Sequence, residues 1–444
     1  MTIFLLIASV VLMILLTSRF NLHPFLALFT ASIFYALFSG MPLNLILESI
    51  NKGFGSTLGQ IGLIIVFGVI IGSFLEHSGG AYKLAEMVLR FIGRKRVYEA
   101  MGLVGFVVSI PVFADSGFII LNPLNKSISK EAGLSIAGTA TVLMLGLLIS
   151  HVLIPPTPGP IAAAGILNAD VGLVMLVGIV IGLLTLSIAI FFSRKILSKI
   201  YIDPNPEISE NEIRQKIEKA PGAVKSFLPI LIPILLIVTR SVLNLSFSEL
   251  ESQGYLVQII DFLGNPVIAL AIGMLISFTL PDKLDKKIFS SSGWVGKSLG
   301  DASTILLITG AGGIFGTILQ NSGIADTITG LLEDVNLGIW LPFILCAGIK
   351  TAQGSSTVAL ITTASIMAPI LSSLGFDTEI QKALVVVAIG AGAAVVSHVN
   401  DSGFWIMIQL SGMDVKTGYR TYTLGSFIVG TSAAVFIFLV TLFV

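Results

Sequence analysis

Charged residues and cysteine are both scarce in this sequence. Of its 444 residues 11% are charged and 55% are hydrophobic, whereas soluble domains carry about 25% charged residues. The single cysteine, Cys346, lies in an apolar run, which excludes a disulfide framework and a cysteine metal cluster. The formal net charge is zero, so nothing indicates a nucleic-acid partner. The composition predicts an all-α polytopic membrane protein that has the lipid bilayer as its solvent.

Leader and enzyme motifs are also missing. The first apolar segment, Ile3 to Leu16, has no basic region before it and no small-residue cleavage site after it. We therefore interpret it as a retained membrane span. The sequence holds no phosphate-binding glycine loop, zinc-ligand spacing or nucleophile elbow. We predict that the chain is not an enzyme and uses no metal or other cofactor.

What the sequence does contain is a series of long apolar segments. A helix that crosses a bilayer needs about 20 mostly apolar residues. About ten segments meet this requirement, and one long polar stretch, 194–225, separates them into two groups. The predicted spans are 2–18, 24–40, 57–77, 133–152, 171–193, 226–243, 264–280, 299–320, 380–398 and 422–444.

Polar residues interrupt two further apolar segments, which we interpret as re-entrant hairpins over 98–129 and 338–372. The second is interrupted by residues 350–357, which supply a lysine, a glutamine and four hydroxyl side chains. Irregular backbone at membrane depth persists only where protein buries it or where it lines a watery cavity. An ionisable residue there marks a functional site, because its burial is costly. The alternative is a pair of full helices joined by a polar surface turn.

The two halves of the sequence resemble each other. Residues 71–79 (IGSFLEHSG) align with 315–323 (FGTILQNSG), 110–121 (IPVFADSGFIIL) align with 349–360 (IKTAQGSSTVAL), and Ser-His-Val recurs at 150–152 and 397–399. Internal repeats of transporters commonly have inverted topology. We predict a first repeat over 1–193, with a broken helix near 150–160, and a second over 226–444, with a broken helix near 397–403. Residues 194–225 form a cytoplasmic linker between them.

Loop charges support the inversion. After 71–79 come Lys83, Arg90 and a basic run at 94–96, whereas the matching loop of the second repeat contains Asp326, Glu333 and Asp334 and no basic residue. Positively charged loops stay in the cytoplasm, so the two loops are predicted to lie on opposite sides of the membrane. This topology places both chain termini on the outer side.

Four polar islands interrupt the apolar segments, at 113–118, 150–160, 350–357 and 397–403. Helix N-termini at such breaks suit a carboxylate, and burial favours a neutral, proton-carrying acid. Histidines beside the breaks could relay protons. The predicted substrate ligands are Ser116, Gly117, Thr157, Pro158, Gly159, Lys350, Gln353, Gly354, Ser355, Ser356, Thr357, Asn400 and Ser402, and the predicted proton-coupling residues are Asp115, Asp401, His151 and His398.

Several of these residues have a purely structural alternative. His151 and His398 could be hydrogen-bonded helix-end residues, and Asp401 could be the N-cap of the segment that starts beside it. Lys350 could extend to an interface, and the proline run at 155–160 could form an external loop. Lys350 itself has two functional interpretations: it binds the substrate carboxylate, or it forms an ion pair with Asp115 or Asp401.

Three motifs resemble those of the gluconate:proton symporter family, within the broader ion-transporter superfamily. They are SHVLIPPTPGP (150–160), KTAQGSSTVAL (350–360) and SHVNDSGFW (397–405), and the resemblance covers essentially the whole chain. It implies inverted repeats, paired hairpins and multi-pass secondary transport of a small organic anion across the bacterial cytoplasmic (inner) membrane, with a proton as the coupling ion. The superfamily also implies a homodimer with a scaffold domain and an elevator-like transport domain.

The sequence departs from this family at two motifs. Thr157 stands where gluconate permeases tend to have histidine, and Ala114 and Ser116 flank Asp115 where larger, less polar residues are usual. The expected substrate is gluconate or a related small hydroxy-carboxylate, with glycerate or D-serine as the alternative. Two alternatives lie outside the class of secondary transporters: a passive channel and an intramembrane hydrolase. The hydrolase is disfavoured because the neighbouring residues of each Ser-His pair point to different helix faces.

Overall fold

The computed structural model describes residues 2–93, 96–206, 210–246, 255–324 and 337–444. Within these ranges the regular elements are helices, and no strand occurs. This confirms the all-α prediction. In a bilayer the result is expected, because a helix satisfies its backbone hydrogen bonds within one segment.

Twenty α-helices lie in the described ranges. A π-turn, Tyr419–Thr423, connects the last two. Those of the first half are α1 (Thr2–Ser18), α2 (Pro24–Phe38), α3 (Leu43–His77), α4 (Gly80–Ile92), α5 (Val97–Val108), α6 (Ala114–Glu131), α7 (Ile136–Leu153), α8 (Pro158–Ile166), α9 (Val171–Lys195) and α10 (Glu210–Lys219). Those of the second half are α11 (Ala223–Ser246), α12 (Tyr255–Leu263), α13 (Pro266–Ser277), α14 (Trp294–Asn321), α15 (Trp340–Gln353), α16 (Ser356–Met367), α17 (Glu379–Ala394), α18 (Ser402–Leu410), α19 (Val415–Gly418) and α20 (Leu424–Thr441).

Six helical stretches in the described ranges are long and apolar enough to cross a membrane, and the pair α12–α13, bent by 65°, makes a seventh if it counts as one span. The predicted count of ten is therefore not confirmed. Three of the ten predicted spans, α1, α2 and α17, have 17, 15 and 16 residues. Helices of this length fall short of the bilayer core unless flanking residues complete the span.

α3 begins much earlier than its apolar segment predicts. The segment predicted at 57–77 belongs to α3, which begins at Leu43 and has 35 residues. Its polar first half contacts α14, where Asn321 Nδ2 donates to Ser49 Oγ at 2.8 Å. Close backbone approach continues along this contact, because a Cβ on Gly53 would lie 2.5 Å from the Gly313 carbonyl oxygen. Small residues and polar pairs hold membrane helices together in this way.

The helices break at or beside the predicted polar islands, and the first break, 109–113, precedes the island 113–118, most of which lies in α6. α5 ends at Val108 and α6 begins at Ala114, while Gly354 and Ser355 separate α15 from α16. α7 ends at Leu153 before the proline run, and α17 ends at Ala394, seven residues before α18. Proline removes a backbone donor and clashes with the preceding turn, so the run that starts at Pro155 cannot continue α7, and a new helix, α8, begins within it at Pro158.

α7 lies at the centre of the fold. Every residue of this helix except His151 is buried. α5 packs directly on it, since a Cβ on Gly146 would collide with the Gly102 carbonyl oxygen and one on Gly105 with that of Leu143. The first hairpin is thus held tightly against the helix that carries His151.

Some predicted features lie outside the described residues. They include the acidic loop residues Asp326, Glu333 and Asp334 and the basic pair Arg94 and Lys95. In the polar linker the structure places a short helix, α10. The division into repeats stays a prediction.

Candidate substrate-binding cavity

A cavity of about 670 Å³ lies where the interrupted segments meet. Its volume is in the range of small-molecule sites. All four polar islands contribute to its wall. The lining residues are Phe113, Ala114, Asp115, Ser116, Met144, Leu148, His151, Asp301, Thr304, Ile305, Gln353, Gly354, Ser355, Ser356, Thr357, Asn400, Asp401, Ser402, Gly403 and Tyr422.

The N-terminus of α16 faces this cavity. Ser355 caps the helix, its side chain accepting a hydrogen bond from the Val358 amide at 3.3 Å. Gly354 has φ +90°, and a Cβ there would collide with the Asn400 carbonyl oxygen. Glycine is therefore required at the tip of the second hairpin, both by its backbone conformation and by space. The unpaired amides of the first turn give this end of α16 a partial positive charge that attracts anions.

Lys350 lies behind this helix start and is fully buried. Its Nζ donates to Asp401 Oδ2 at 2.8 Å and to Ser397 Oγ at 2.8 Å. Ser397 Oγ in turn donates to Asp401 Oδ2 at 2.5 Å. Of the two functional interpretations of Lys350, the structure shows the ion pair, and Asp401 is its partner. Lys350 itself does not line the cavity.

The stretch between α17 and α18 is fastened to the tip of the second hairpin. His398 Nε2 donates to the Thr351 carbonyl at 2.9 Å, and Asn400 Nδ2 donates to the same oxygen at 2.8 Å. Asp401 caps α18, its Oδ1 accepting from the Gly403 amide at 3.0 Å. Asp401 is therefore the N-cap of α18 through Oδ1 and the ion-pair partner of Lys350 through Oδ2.

Asp115 connects the two halves of the chain. It lies in the first turn of α6, and its Oδ2 accepts a hydrogen bond from Ser402 Oγ at 2.6 Å. Unlike Asp401, it has no basic partner within salt-bridge distance in the described part of the chain. Two acids of similar sequence context therefore have different surroundings.

Two buried polar atoms of the cavity wall have no hydrogen-bond partner among the described residues: His151 Nδ1 and Gln353 Nε2. The His151 ring lies 5.9 Å from that of Phe113, between ring centres. A buried polar atom without a partner costs about 1–3 kcal/mol. Both residues belong to the cavity wall, and both nitrogen atoms are buried.

Several predicted site residues do not line the cavity: the predicted ligands Gly117, Thr157, Pro158, Gly159 and Lys350, and the predicted proton-coupling residue His398. The Thr157 hydroxyl donates to the Ile154 carbonyl at 2.5 Å, within the turn after α7. A Cβ on Gly117 would lie 2.7 Å from Leu147, and one on Gly159 2.6 Å from Leu360. These two glycines and the nearby prolines pack the helix breaks together.

Other cavity residues were not anticipated from the sequence. Asp301, Thr304 and Ile305 lie on one face of α14, at spacings of three and four residues. The sequence feature that could have indicated Asp301 as a cavity residue is its place as an acid at the start of the apolar segment 299–320. Tyr422 is the first residue of the apolar segment 422–444, and no sequence pattern indicated it as a cavity residue.

The sequence model of the GntP family permeases matches residues 1–443. A gluconate permease of Pseudomonas aeruginosa is 34% identical over 98% of this chain and 96% of its own length. The Gnt-II system L-idonate transporter of Escherichia coli is 32% identical over 94% of this chain and 93% of its own. An uncharacterized permease of Haemophilus influenzae is 37% identical over 93% of this chain and 86% of its own.

Two solved structures share the fold. MtrF of Neisseria gonorrhoeae, described as an antimetabolite efflux pump, has a TM-score of 0.63 at 16% identity, covering 89% of this chain and 83% of its own. The YdaH transporter of Alcanivorax borkumensis has a TM-score of 0.60 at 15% identity, covering 88% of both chains. The family match and the relatives mark the protein as a membrane-embedded permease and not an enzyme. The chain belongs to the GntP permease family.

Proposed function

We propose that this permease imports gluconate or a closely related sugar acid together with a proton. The relatives named for gluconate and L-idonate support a sugar-acid substrate. The observation that carries the proposal is the cavity itself, in which the N-terminus of α16 faces a wall of hydroxyl, amide and imidazole groups. A helix N-terminus suits a carboxylate, and the polar wall suits a hydroxylated chain.

In this arrangement the substrate carboxylate binds at Ser355 and Thr357. The Ser356 hydroxyl already donates to the Ala393 carbonyl at 2.9 Å, so its backbone amide is the group that remains for the anion. Gln353 and His151 meet the substrate hydroxyls. Their nitrogen atoms have no partner among the described residues, and a substrate hydroxyl would supply one.

Charge balance and burial together favour Asp115 as the proton carrier, because Asp115 is partly buried whereas Asp301 is exposed. Lys350 and Asp401 neutralise each other, which leaves Asp115 and Asp301 as acids of the cavity without an ion-pair partner in the described structure. A substrate anion brings a further negative charge. A neutral carboxylic acid is far cheaper to bury than a carboxylate, so binding of the anion favours the protonated form of Asp115.

Transport in proteoliposomes tests the function. With a pH one unit lower outside and one proton per substrate, gluconate should accumulate about tenfold, because each tenfold ratio corresponds to 1.4 kcal/mol. The same vesicles with a protonophore are the control and should only equilibrate. Equilibration without accumulation in both samples would indicate a passive channel, and accumulation of D-serine or glycerate but not gluconate would select the alternative substrate.

From the position of Asp301 we predict that the permease prefers monoanions to dianions as substrates. A six-carbon dicarboxylate bound by one end at α16 places its second carboxylate toward the rest of the cavity wall, to which Asp301 belongs. If the second carboxylate lies about 8–15 Å from that of Asp301, with an effective dielectric constant near 20, their repulsion is about 1–2 kcal/mol. We expect Asp301→Asn to improve competition by glucarate against labelled gluconate by about 5–30-fold.

The control for this experiment is Asp377→Asn, since Asp377 is exposed and lies outside the cavity. The removal of a negative charge there should leave the ratio of the two affinities unchanged. Equal improvement in both variants would mean that net surface charge, not the cavity, sets the preference.

We further propose that the two repeats are inverted and that both termini lie outside. Cysteine placed at Lys216 in the linker helix α10 should be protected from an impermeant maleimide in intact cells. Cysteine at Asp377, in the exposed loop after the second hairpin, should be labelled. The native Cys346 is buried and is replaced by alanine in both variants. Labelling of both positions from one side would contradict the inversion.

A further inference from the structure

The segment 278–293 connects two apolar helices, α13 and α14, and therefore lies at a membrane surface. It contains Lys283, Lys286 and Lys287, and all three lysines are exposed. None of them forms a salt bridge with another residue of the described ranges. Three ammonium groups at the edge of the membrane are thus left to interact with something outside this chain.

A short 3₁₀ turn, Lys286–Phe289, gives this segment a defined shape. Asp285 Oδ1 accepts a hydrogen bond from the Lys287 amide at 3.1 Å, and Ser290 Oγ donates to the Lys287 carbonyl at 2.7 Å. The chain then folds back so tightly that a Cβ on Gly293 would collide with the same carbonyl oxygen. The segment is therefore a closed turn that presents two adjacent lysines.

Aromatic rings support the turn. The ring centre of Phe289 lies 5.1 Å from that of Phe278, which lies 5.0 Å from that of Phe74. The Trp294 ring meets Phe74 edge-on at 5.3 Å. Aromatic side chains are enriched where a membrane meets water. Phe289 is nevertheless 44% exposed and Leu284 59% exposed, so two apolar side chains lie uncovered among the lysines.

The charge of this surface is positive. With Lys297 in the first turn of α14, residues 282–297 hold four lysines against two acids, Asp282 and Asp285. One oxygen of Asp285 is already engaged by the backbone of the turn. Lysines next to a membrane helix attract anionic lipid headgroups, and apolar side chains beside them can enter the boundary between headgroups and acyl chains.

We propose that the segment 278–297 binds the headgroup of an anionic phospholipid. The lysines pair with the lipid phosphate, while Leu284 and Phe289 contact the upper part of the acyl chains. A soluble anion would use the lysines alone, so the two exposed apolar side chains favour a lipid. The site lies at the start of α14, the helix that contributes Asp301 to the cavity wall. It does not depend on which substrate the cavity takes.

Tryptophan fluorescence can test the proposal in vesicles. Trp294 lies at the end of the segment, and in a Trp340→Phe, Trp405→Phe background it is the single tryptophan. Brominated lipids quench a tryptophan that they contact. Brominated phosphatidylglycerol and brominated phosphatidylcholine are compared at equal mole fractions in phosphatidylcholine vesicles. We expect half-maximal quenching by the anionic lipid at a mole fraction about fivefold or more lower, since each lysine near an anionic surface contributes about this factor.

Two triple variants make the result specific. The test variant is Lys283→Gln, Lys286→Gln, Lys287→Gln. The control, Lys195→Gln, Lys199→Gln, Lys416→Gln, removes three exposed charges from other parts of the surface. The test variant should lose the preference for the anionic lipid and the control should keep it.

The preference should also shrink at about 1 M salt, where the Debye length is about 3 Å. Equal quenching of the parent protein by the two lipids would overturn the proposal, as would equal loss of the preference in both triple variants. Loss of the preference on addition of millimolar glycerol phosphate would assign the lysines to a soluble anion and would overturn the lipid site.

Discussion

Replacing Asp115 by asparagine should abolish proton-driven accumulation while exchange of substrate across the membrane continues. Asparagine has nearly the same shape as protonated aspartic acid, and its carbonyl can still accept the hydrogen bond from Ser402. The variant therefore imitates the loaded state of the proton site. With a gradient of one pH unit, accumulation should fall about tenfold, to simple equilibration.

The measurement is a pair of assays on one preparation of proteoliposomes. Counterflow of labelled gluconate at equal pH reports exchange, and uptake under a pH gradient reports coupling. Ser402→Ala is the matched control, because it removes the hydrogen bond to Asp115 but leaves an acid that can titrate. It should still accumulate substrate, with a changed pH profile. Normal pH-driven accumulation by Asp115→Asn would exclude Asp115 as the proton carrier.

The positions of the helix breaks could be predicted from the sequence because polarity within apolar segments has a clear physical cost. The run from Lys350 to Thr357 predicts an interruption, and the structure breaks the helix at Gly354 and Ser355. The proline run after His151 does the same for α7. Each of these signals is local, since a lysine at membrane depth is costly and four prolines within six residues remove four backbone donors.

The pairing of the polar residues could not be predicted in the same way. Asp115 and Asp401 are both acids at a break, and the sequence left either as the partner of Lys350. The choice depends on tertiary packing, which brings Ser402 to Asp115 across 287 residues and leaves Asp401 beside Lys350. Tyr422 was not predicted as a site residue, because it belongs to a segment that is otherwise apolar. In the structure it lines the cavity.

For α3 the sequence predicted a helix that is too short. Its first half contains Glu48, Asn51 and Lys52, which reads as a loop before a span. The structure keeps it helical because it lies against α14, where polar pairs and close glycine contacts replace lipid. A hydropathy pattern describes contact with lipid, and a helix that packs on protein need not follow it.

Lys350 and Asp401 should show a strong energetic coupling in a double-mutant cycle. The Lys350 side chain is fully buried and that of Asp401 is 13% exposed, with 2.8 Å between Nζ and Oδ2. Lys350→Met leaves a buried carboxylate without its cation, and Asp401→Asn leaves a buried ammonium without its anion. Breaking such a pair typically costs about 3–5 kcal/mol, whereas replacing both charges together is often neutral. The double variant should therefore be more stable than either single variant.

Thermal unfolding of the detergent-purified protein measures stability, and gluconate affinity measured on the same samples separates the two roles of Lys350. If the lysine serves the ion pair, Lys350→Met should weaken gluconate binding and the added Asp401→Asn should restore much of it, because an uncompensated carboxylate beside α16 repels the substrate. If the lysine binds substrate directly, the double variant should remain as weak as Lys350→Met. The bonds of Lys350 Nζ to Asp401 and Ser397 lead us to expect restoration. Additive losses of stability in the cycle would show that the two charges do not depend on each other.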